Sequence, residues 1–325
     1  MRKIRIATRS SPLALVQATN VANLLSSCIA DTHSKAFDAD VRLEVVETYA
    51  DGRLDIAISE LGAQGAFTKE VEKAVLSGVA DLAVHSAKDL PSSISEEGLV
   101  LAGVTKRADP RDVLLGCAIE NLPPGAQVAT GSLRRKIQLQ AMRPDLDVVG
   151  LRGNIATRIN KIPPKGAIVM AKAALDRLGI EAPLAKSTIF EVEDMLPQVG
   201  QGTLAITARS SDTDLLSLLE EISDESARFA LSAERAFLAS MGGACDAPAA
   251  AYAEVSSTSG SRKVFLRALL ASADGKVIIR RSRSGSDPVA TGSNLAVEMQ
   301  KIAKHYEDTR SPLSHEQVLI DGDWS

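Results

Sequence analysis

Stretches of strand character alternate with stretches of helical periodicity from the first residues to about residue 180. This constrains the fold more than any other feature of the chain. Ile4–Thr8 reads as a strand. Ser10-Ser11-Pro12 then offers an N-cap and a first-turn proline to a helix reaching about Cys28, in which Ala14, Ala18, Val21, Leu24, Leu25 and Cys28 recur at helical spacing. The same reading predicts strands at Val41–Thr48, Leu82–His85, Val113–Cys117, Gln127–Ala129, Val148–Leu151 and Ala167–Ala171. It predicts helices at Phe67–Leu76, Leu133–Met142 and Ala173–Leu178. Alternation of this kind implies α/β architecture, with parallel sheets covered by helices on both faces.

The character changes after about residue 220. A helix over Asp224–Met241 ends at Gly242-Gly243. Three strands are expected near 249–255, 263–271 and 276–283, with Asp274-Gly275 as a hairpin turn, and a helix over about Val289–His305. This is a small antiparallel α+β domain, and the polar tail from Glu307 carries no expected element. A chain of 325 residues exceeds one ordinary core, so two or three domains are expected. Aromatic residues at 3% and a net charge of −4 argue against a nucleic-acid partner. No secretory leader is evident, no run approaches the roughly 18 apolar residues of a membrane span, and three cysteines without a CxxC argue against a disulfide framework or zinc site. A cytoplasmic protein with reduced thiols is the expectation.

Three strand-to-helix corners are rich in anion-binding groups: Thr8-Arg9-Ser10-Ser11, Thr130-Gly131-Ser132-Leu133-Arg134-Arg135, and Leu151-Arg152-Gly153-Asn154 with Arg158 a turn further on. Ligands of open α/β sheets bind at the carboxyl ends of strands, where helix N-termini present free N–H groups. Hydroxyls and guanidiniums there suit carboxylate or phosphate. Residues 130–177 hold ten Lys and Arg against three Asp, a surplus of seven on a net acidic chain. Lys136, Lys161 and Lys165 read as solvated helix faces. Asp89 follows His85-Ser86-Ala87-Lys88 at a strand end, where an acid can orient a proton or offset a developing cation; on spacing alone a turn-capping role fits equally. His85 reads as a packing residue. Gly200-Gln201-Gly202 is a glycine loop returning the chain to the first domain. Cys28 and Cys117 fall in apolar stretches, whereas Cys245 falls in the small-residue run Met241 to Pro248, where a thiol can serve as nucleophile, ligand or anchor. No P-loop, HExxH or GxSxG motif occurs.

Taken together these runs resemble the porphobilinogen deaminase (hydroxymethylbilane synthase) family. The matching stretches are Ala7 to Ala14, Ala83 to Pro91, Asp109-Pro110-Arg111-Asp112, Gly131 to Arg135, Leu151 to Asn154 with Thr157-Arg158, Val199 to Gly202, Ala233-Glu234-Arg235, and Cys245 to Pro248, in family order from about residue 4 to 285. The resemblance implies two periplasmic-binding-protein-like domains with mixed sheets, 1–104 with 203–220 and 105–202, and a third domain, 221–325, with a three-stranded antiparallel sheet and the cofactor cysteine. It implies head-to-tail condensation of four porphobilinogen molecules, with loss of ammonia, on a dipyrromethane primer held by a thioether to Cys245. Asp89 then matches the catalytic acid. Ser11, Lys88, Thr130, Ser132, Arg134 and Arg135 match groups around the cofactor. Arg9, Arg107, Arg152, Arg158, Arg177 and Gln201 match substrate-binding positions. A cytoplasmic monomer without membrane or nucleic-acid partners is implied.

The chain departs from the family pattern at Thr48 to Arg53, at Glu60 to Gly65 where lysines are frequent, at Gly131 where serine is usual, and at Ala244 where glycine is usual. The rival reading is a non-catalytic binder of a small carboxylated solute.

Overall fold

The structure, a computed structural model, describes residues 1–31, 36–38, 40–47, 68–92, 96–181, 186–242, 248–258, 261–309, 318–322 and 324. Cys245, Ala244 and the departures at Thr48 to Arg53 and Glu60 to Gly65 lie outside the described residues. The chain forms two compact units. One takes Met1–Ala108, Asp176–Ile180 and Gly202–Arg228; the other takes Asp109–Leu175, Glu181–Gln201 and Phe229–Ser325.

The first unit is built on a five-stranded sheet ordered Arg42–Val46, Arg5–Arg9, Leu82–Ser86, Leu204–Arg209, Leu99–Val104. Successive side chains of a strand point to opposite faces, so Ile6 enters one apolar cluster and Ala7 the other. The Ile6 face is covered by the helices Pro12–Asp31 and Thr213–Glu221, the Ala7 face by Lys69–Leu76. Among the described helices, Pro12–Asp31 is long and apolar enough to cross a membrane, which corrects the expectation that no run comes close. Its polar positions are uncharged until Asp31, so the segment passes a test of length and composition. Here it is a core helix, laying Ala18, Val21, Ala22, Leu25 and Ile29 on the sheet.

The second unit contains a sheet ordered Asp147–Val149, Gln127–Ala129, Ala167–Ala171, Asp112–Leu115, Ser187–Ile189. If the parallel strands of each sheet are numbered in chain order, both sheets run second, first, third, an antiparallel strand, fourth. This repeated layout is the paired mixed-sheet architecture that the resemblance implies. It corrects the purely parallel sheets read from alternation. The antiparallel members are Asp112–Leu115, just past the long segment Met1–Ala108, and Leu204–Arg209, at the start of Gly202–Arg228. They are therefore not delivered by a βαβ crossover, which is what enforces parallel pairing.

The C-terminal sheet is the expected antiparallel meander, Ala249–Thr258, Ser261–Ala271 and Val277–Gly285, backed by the helices Glu225–Ser240 and Pro288–Thr309. The tail adds a strand that its polar composition did not suggest: Val318–Asp321 pairs parallel with Val277–Arg280. Within this unit an apolar seam joins Ile137 and Leu196 to Ala250, Leu269 and Ile278, with Trp324 packed on it. Gly275, in the left-handed region at φ +70°, turns the hairpin against Ile137. The helix Leu133–Met142 is thus braced by the C-terminal sheet.

Candidate functional site

In the first unit Arg5–Arg9 and Leu82–Ser86 run parallel and adjacent, so Arg9 and Ser86 open at the same edge. Past Arg9 the chain enters its helix at once. Ser11 Oγ accepts from Ala14 N at 3.3 Å, and Thr8 Oγ1 donates to Ala14 O at 3.2 Å. Past Ser86 comes a single 3-10 turn, Ala87–Asp89, held by Ala87 N donating to Thr203 O at 3.0 Å. Ala87 is buried, Lys88 half-buried and Asp89 exposed. Buried Gln17 links the corners, its Nε2 donating to Ser86 Oγ at 2.8 Å. Together they enclose a hollow of about 60 Å³ whose walls include Arg9, Ser11, Gln17, Thr68, His85 and Asp89. A guanidinium and an exposed carboxylate so placed can hold an acid group and serve a neighbouring proton. His85 is 6% exposed, with Nε2 3.0 Å from Thr207 Oγ1. Burial pushes its pKa down to about 4. It is neutral at pH 7 and acts as packing, as the sequence suggested.

In the second unit the corners after Gln127–Ala129 and Asp147–Val149 form a larger cavity, about 320 Å³, whose walls include Thr130, Ser132, Lys136, Leu151 and Arg152. Thr130 Oγ1 accepts from Ser132 N at 3.2 Å, and Ser132 caps the helix Leu133–Met142 by accepting from Arg135 N at 3.4 Å. Gly131 is compulsory in this geometry, since a Cβ there would stand 2.7 Å from Leu151 O. Asn154 caps Ile155–Ile159 by accepting from Thr157 N at 2.9 Å, and Arg158 Nε donates to Gly153 O at 2.6 Å. Among the described residues no acidic side chain lines the cavity.

Arg134 and Arg135 do not line it. Both are buried and turn inward to Asp112, which is 0% exposed. Arg134 Nη2 lies 2.7 Å from Asp112 Oδ2 and Arg135 Nη2 2.7 Å from Oδ1. Their Nη1 atoms donate to Leu196 O at 2.6 Å and Val169 O at 3.0 Å. Burial would raise the pKa of Asp112, but the two guanidiniums hold it well below the carboxylate range. Burial pulls Arg134 down against the attraction of Asp112, yet a guanidinium keeps its proton in a protein, so the cluster is ionised. Gln201, expected to touch substrate, is 1% exposed and completes this cluster instead, its Nε2 donating to Asp112 Oδ1 at 2.8 Å and Pro110 O at 2.7 Å.

Arg107 and Arg177 meet at Gly202 in the first unit. Arg177 Nη2 donates to Gly202 O at 2.7 Å, and the Arg107 stem lies beside the glycine. Gly202 has φ +91°, and a Cβ would stand 2.5 Å from Ala108 O, so only glycine lets these strands of chain run so close. Glu234, 0% exposed, accepts from Gly200 N at 2.7 Å and Ala253 N at 2.8 Å, tying the loop before Gly202 to the C-terminal sheet. Sequence reasoning gave no role to Asp112, Glu234 or Gln17. For the first two a signal existed: acids inside motifs flanked by apolar strand or helix. Cys28 and Cys117 pack at the edges of apolar clusters, as expected.

A family model described as porphobilinogen deaminase, dipyromethane cofactor binding domain, matches residues 4–217, and one described as porphobilinogen deaminase, C-terminal domain, matches residues 229–301. The porphobilinogen deaminase of Syntrophomonas wolfei is 43% identical over 303 residues, covering 91% of this chain and 94% of the relative. That of Brevibacillus brevis is 40% identical over 301 residues (91% and 93%), and that of Roseiflexus sp. 42% over 300 residues (90% and 94%).

Proposed function

The chain belongs to the porphobilinogen deaminase family, and on that premise we propose that it is a hydroxymethylbilane synthase. It joins four porphobilinogen molecules head to tail, each losing ammonia, and one water then cleaves the product free as linear hydroxymethylbilane, supplying its terminal hydroxyl. The observation that carries this reading is the contrast between the two corners. One unit offers an exposed carboxylate and a guanidinium on the wall of one hollow, the other a roomier cavity lined, among the described residues, by Lys136 and Arg152 and no acid. The family match favours an enzyme over a non-catalytic binder of carboxylated solutes.

The family's cofactor is a dipyrromethane. In our reading it is anchored at Cys245. The residues present fit such a group: Thr130 and Ser132 frame a cavity large enough for acidic side chains, with Lys136 and Arg152 on its wall. When bound, that group supplies the primer to which each ring is joined. Asp89 holds the pyrrole N–H and offsets the positive charge that grows as the aminomethyl nitrogen leaves as ammonia. Arg9, Arg152 and Arg158 bind the carboxylates of the lengthening chain bidentately, with Arg107 and Arg177 supporting them. Ser11 and Lys88 complete the polar wall on the first unit. Arg134 and Arg135 serve by tying the first turn of Leu133–Met142 to Asp112.

We read three domains, 1–104 with 203–220, 105–202 and 221–325, because each contains its own sheet and its own apolar cluster. A cytoplasmic monomer is the setting we expect for this chemistry. The purified protein given porphobilinogen should release four ammonia per hydroxymethylbilane. A well-folded protein that releases none contradicts the proposal.

A further inference from the structure

The inward turn of Arg134 and Arg135 leaves the second cavity short of the two cations that its motif promises. Both guanidiniums are committed to Asp112, and neither lines the cavity. Among the described residues the cations that do line it are Arg152 and Lys136. Lys136 lies one turn beyond the cap, its N–H bonded to Ser132 O at 3.0 Å. Side chains on a helix lean toward its N-terminus, which suits Lys136 to its place on the cavity wall. Lys136 is exposed and makes no ion pair or side-chain hydrogen bond among the described residues. The helix has no acid in its first turn, and among the described residues none lines the cavity. Opposite, the Leu151 carbonyl closes on Gly131, a fit that any side chain at 131 would prevent, and so brings the Arg152 corner over the helix start.

We propose that Lys136 is a substrate-binding residue, whose ammonium, with Arg152, takes a carboxylate of the growing oligopyrrole at the N-terminus of Leu133–Met142. A helix N-terminus favours the same anion. The proposal rests on the hydroxymethylbilane synthase reading. It deepens that reading by giving a contact to a residue which sequence alone leaves as a solvated face.

The test compares wild type with Lys136→Gln, Lys136→Arg and Lys136→Glu, using porphobilinogen itself. Loss of one charge-assisted contact should raise KM by about tenfold in Lys136→Gln. Lys136→Glu should be worse, Lys136→Arg should recover most of the affinity, and kcat should change less than KM. Intact-mass spectra during turnover should show Lys136→Gln stalling with fewer added rings than wild type, while its resting mass and melting temperature stay unchanged. A Lys136→Gln enzyme with wild-type KM and ring distribution overturns the proposal. A wild-type protein that makes no bilane overturns the activity itself, so the two failures are distinguishable.

Discussion

Arg134 Nη2 donates to Asp112 Oδ2 at 2.7 Å in a place where neither side chain is more than 6% exposed. That contact, with its twin from Arg135, holds the first turn of Leu133–Met142 to the strand Asp112–Leu115. Removing one partner of a buried pair leaves an uncompensated charge. Asp112→Asn should therefore cost about 3 to 5 kcal/mol in chemical denaturation. The folded pKa of Asp112 lies below its ordinary value, so its contribution is present above the unfolded pKa of about 4 and fades only as pH falls below that. The deficit of Asp112→Asn should be full at neutral pH. A loss below about 1 kcal/mol there would show that the cluster is not the anchor.

Two buried groups give opposite pH trends. His85 has its pKa pushed down to about 4 from 6.5 by burial, so stability is lost as pH falls from about 6.5 toward 4. At about pH 5 the loss amounts to roughly 2 kcal/mol. His85→Gln should remove that component. Glu72, 4% exposed, has its pKa raised to about 7 from 4.5 by burial and by Glu96. Its cost grows as pH rises from 4.5 to 7, so Glu72→Gln should gain on wild type across that range. Urea midpoints across the range check both signs. A flat difference curve for either variant contradicts the assignment.

Gly131 is a departure with a visible steric reason. Gly131→Ala puts a Cβ 2.7 Å from the Leu151 carbonyl. The Arg152 corner must retreat, raising KM several-fold and costing about 1 to 3 kcal/mol. Steady-state kinetics and a melt read both, and an unchanged KM would mean that Arg152 does not depend on this approach.

The elements that carry the corners were legible because their signals are local. Ser132 and Pro12 announce helix starts, and Gln127–Ala129, Leu133–Met142 and Ala167–Ala171 stand where periodicity puts them. Leu204–Arg209 was not assigned, because a short apolar run has no period of its own, and its antiparallel sense depends on a chain path set far away. Val318–Asp321 was hidden by its polar surroundings; its pairing with Val277–Arg280 decides it. Spacing located the arginines but could not aim them. The direction of Arg134 and Arg135 is fixed by Asp112, over 20 positions away in sequence, and the prominence of Lys136 follows only from that.

Asp89 stands exposed at the rim of the hollow that Arg9 and Ser11 share. Asp89→Ala should leave the melt unchanged and lower kcat by at least about 100-fold, the usual scale for a proton-handling group. Turnover within a few-fold of wild type would move the role elsewhere.

The most direct measurement is the intact mass of the purified protein, from cells able to make porphobilinogen, beside that of Cys245→Ser. The account predicts a wild-type mass in excess of the chain by two pyrrole units and a Cys245→Ser mass equal to the chain. An unmodified wild-type mass, or an excess that survives Cys245→Ser, would contradict it.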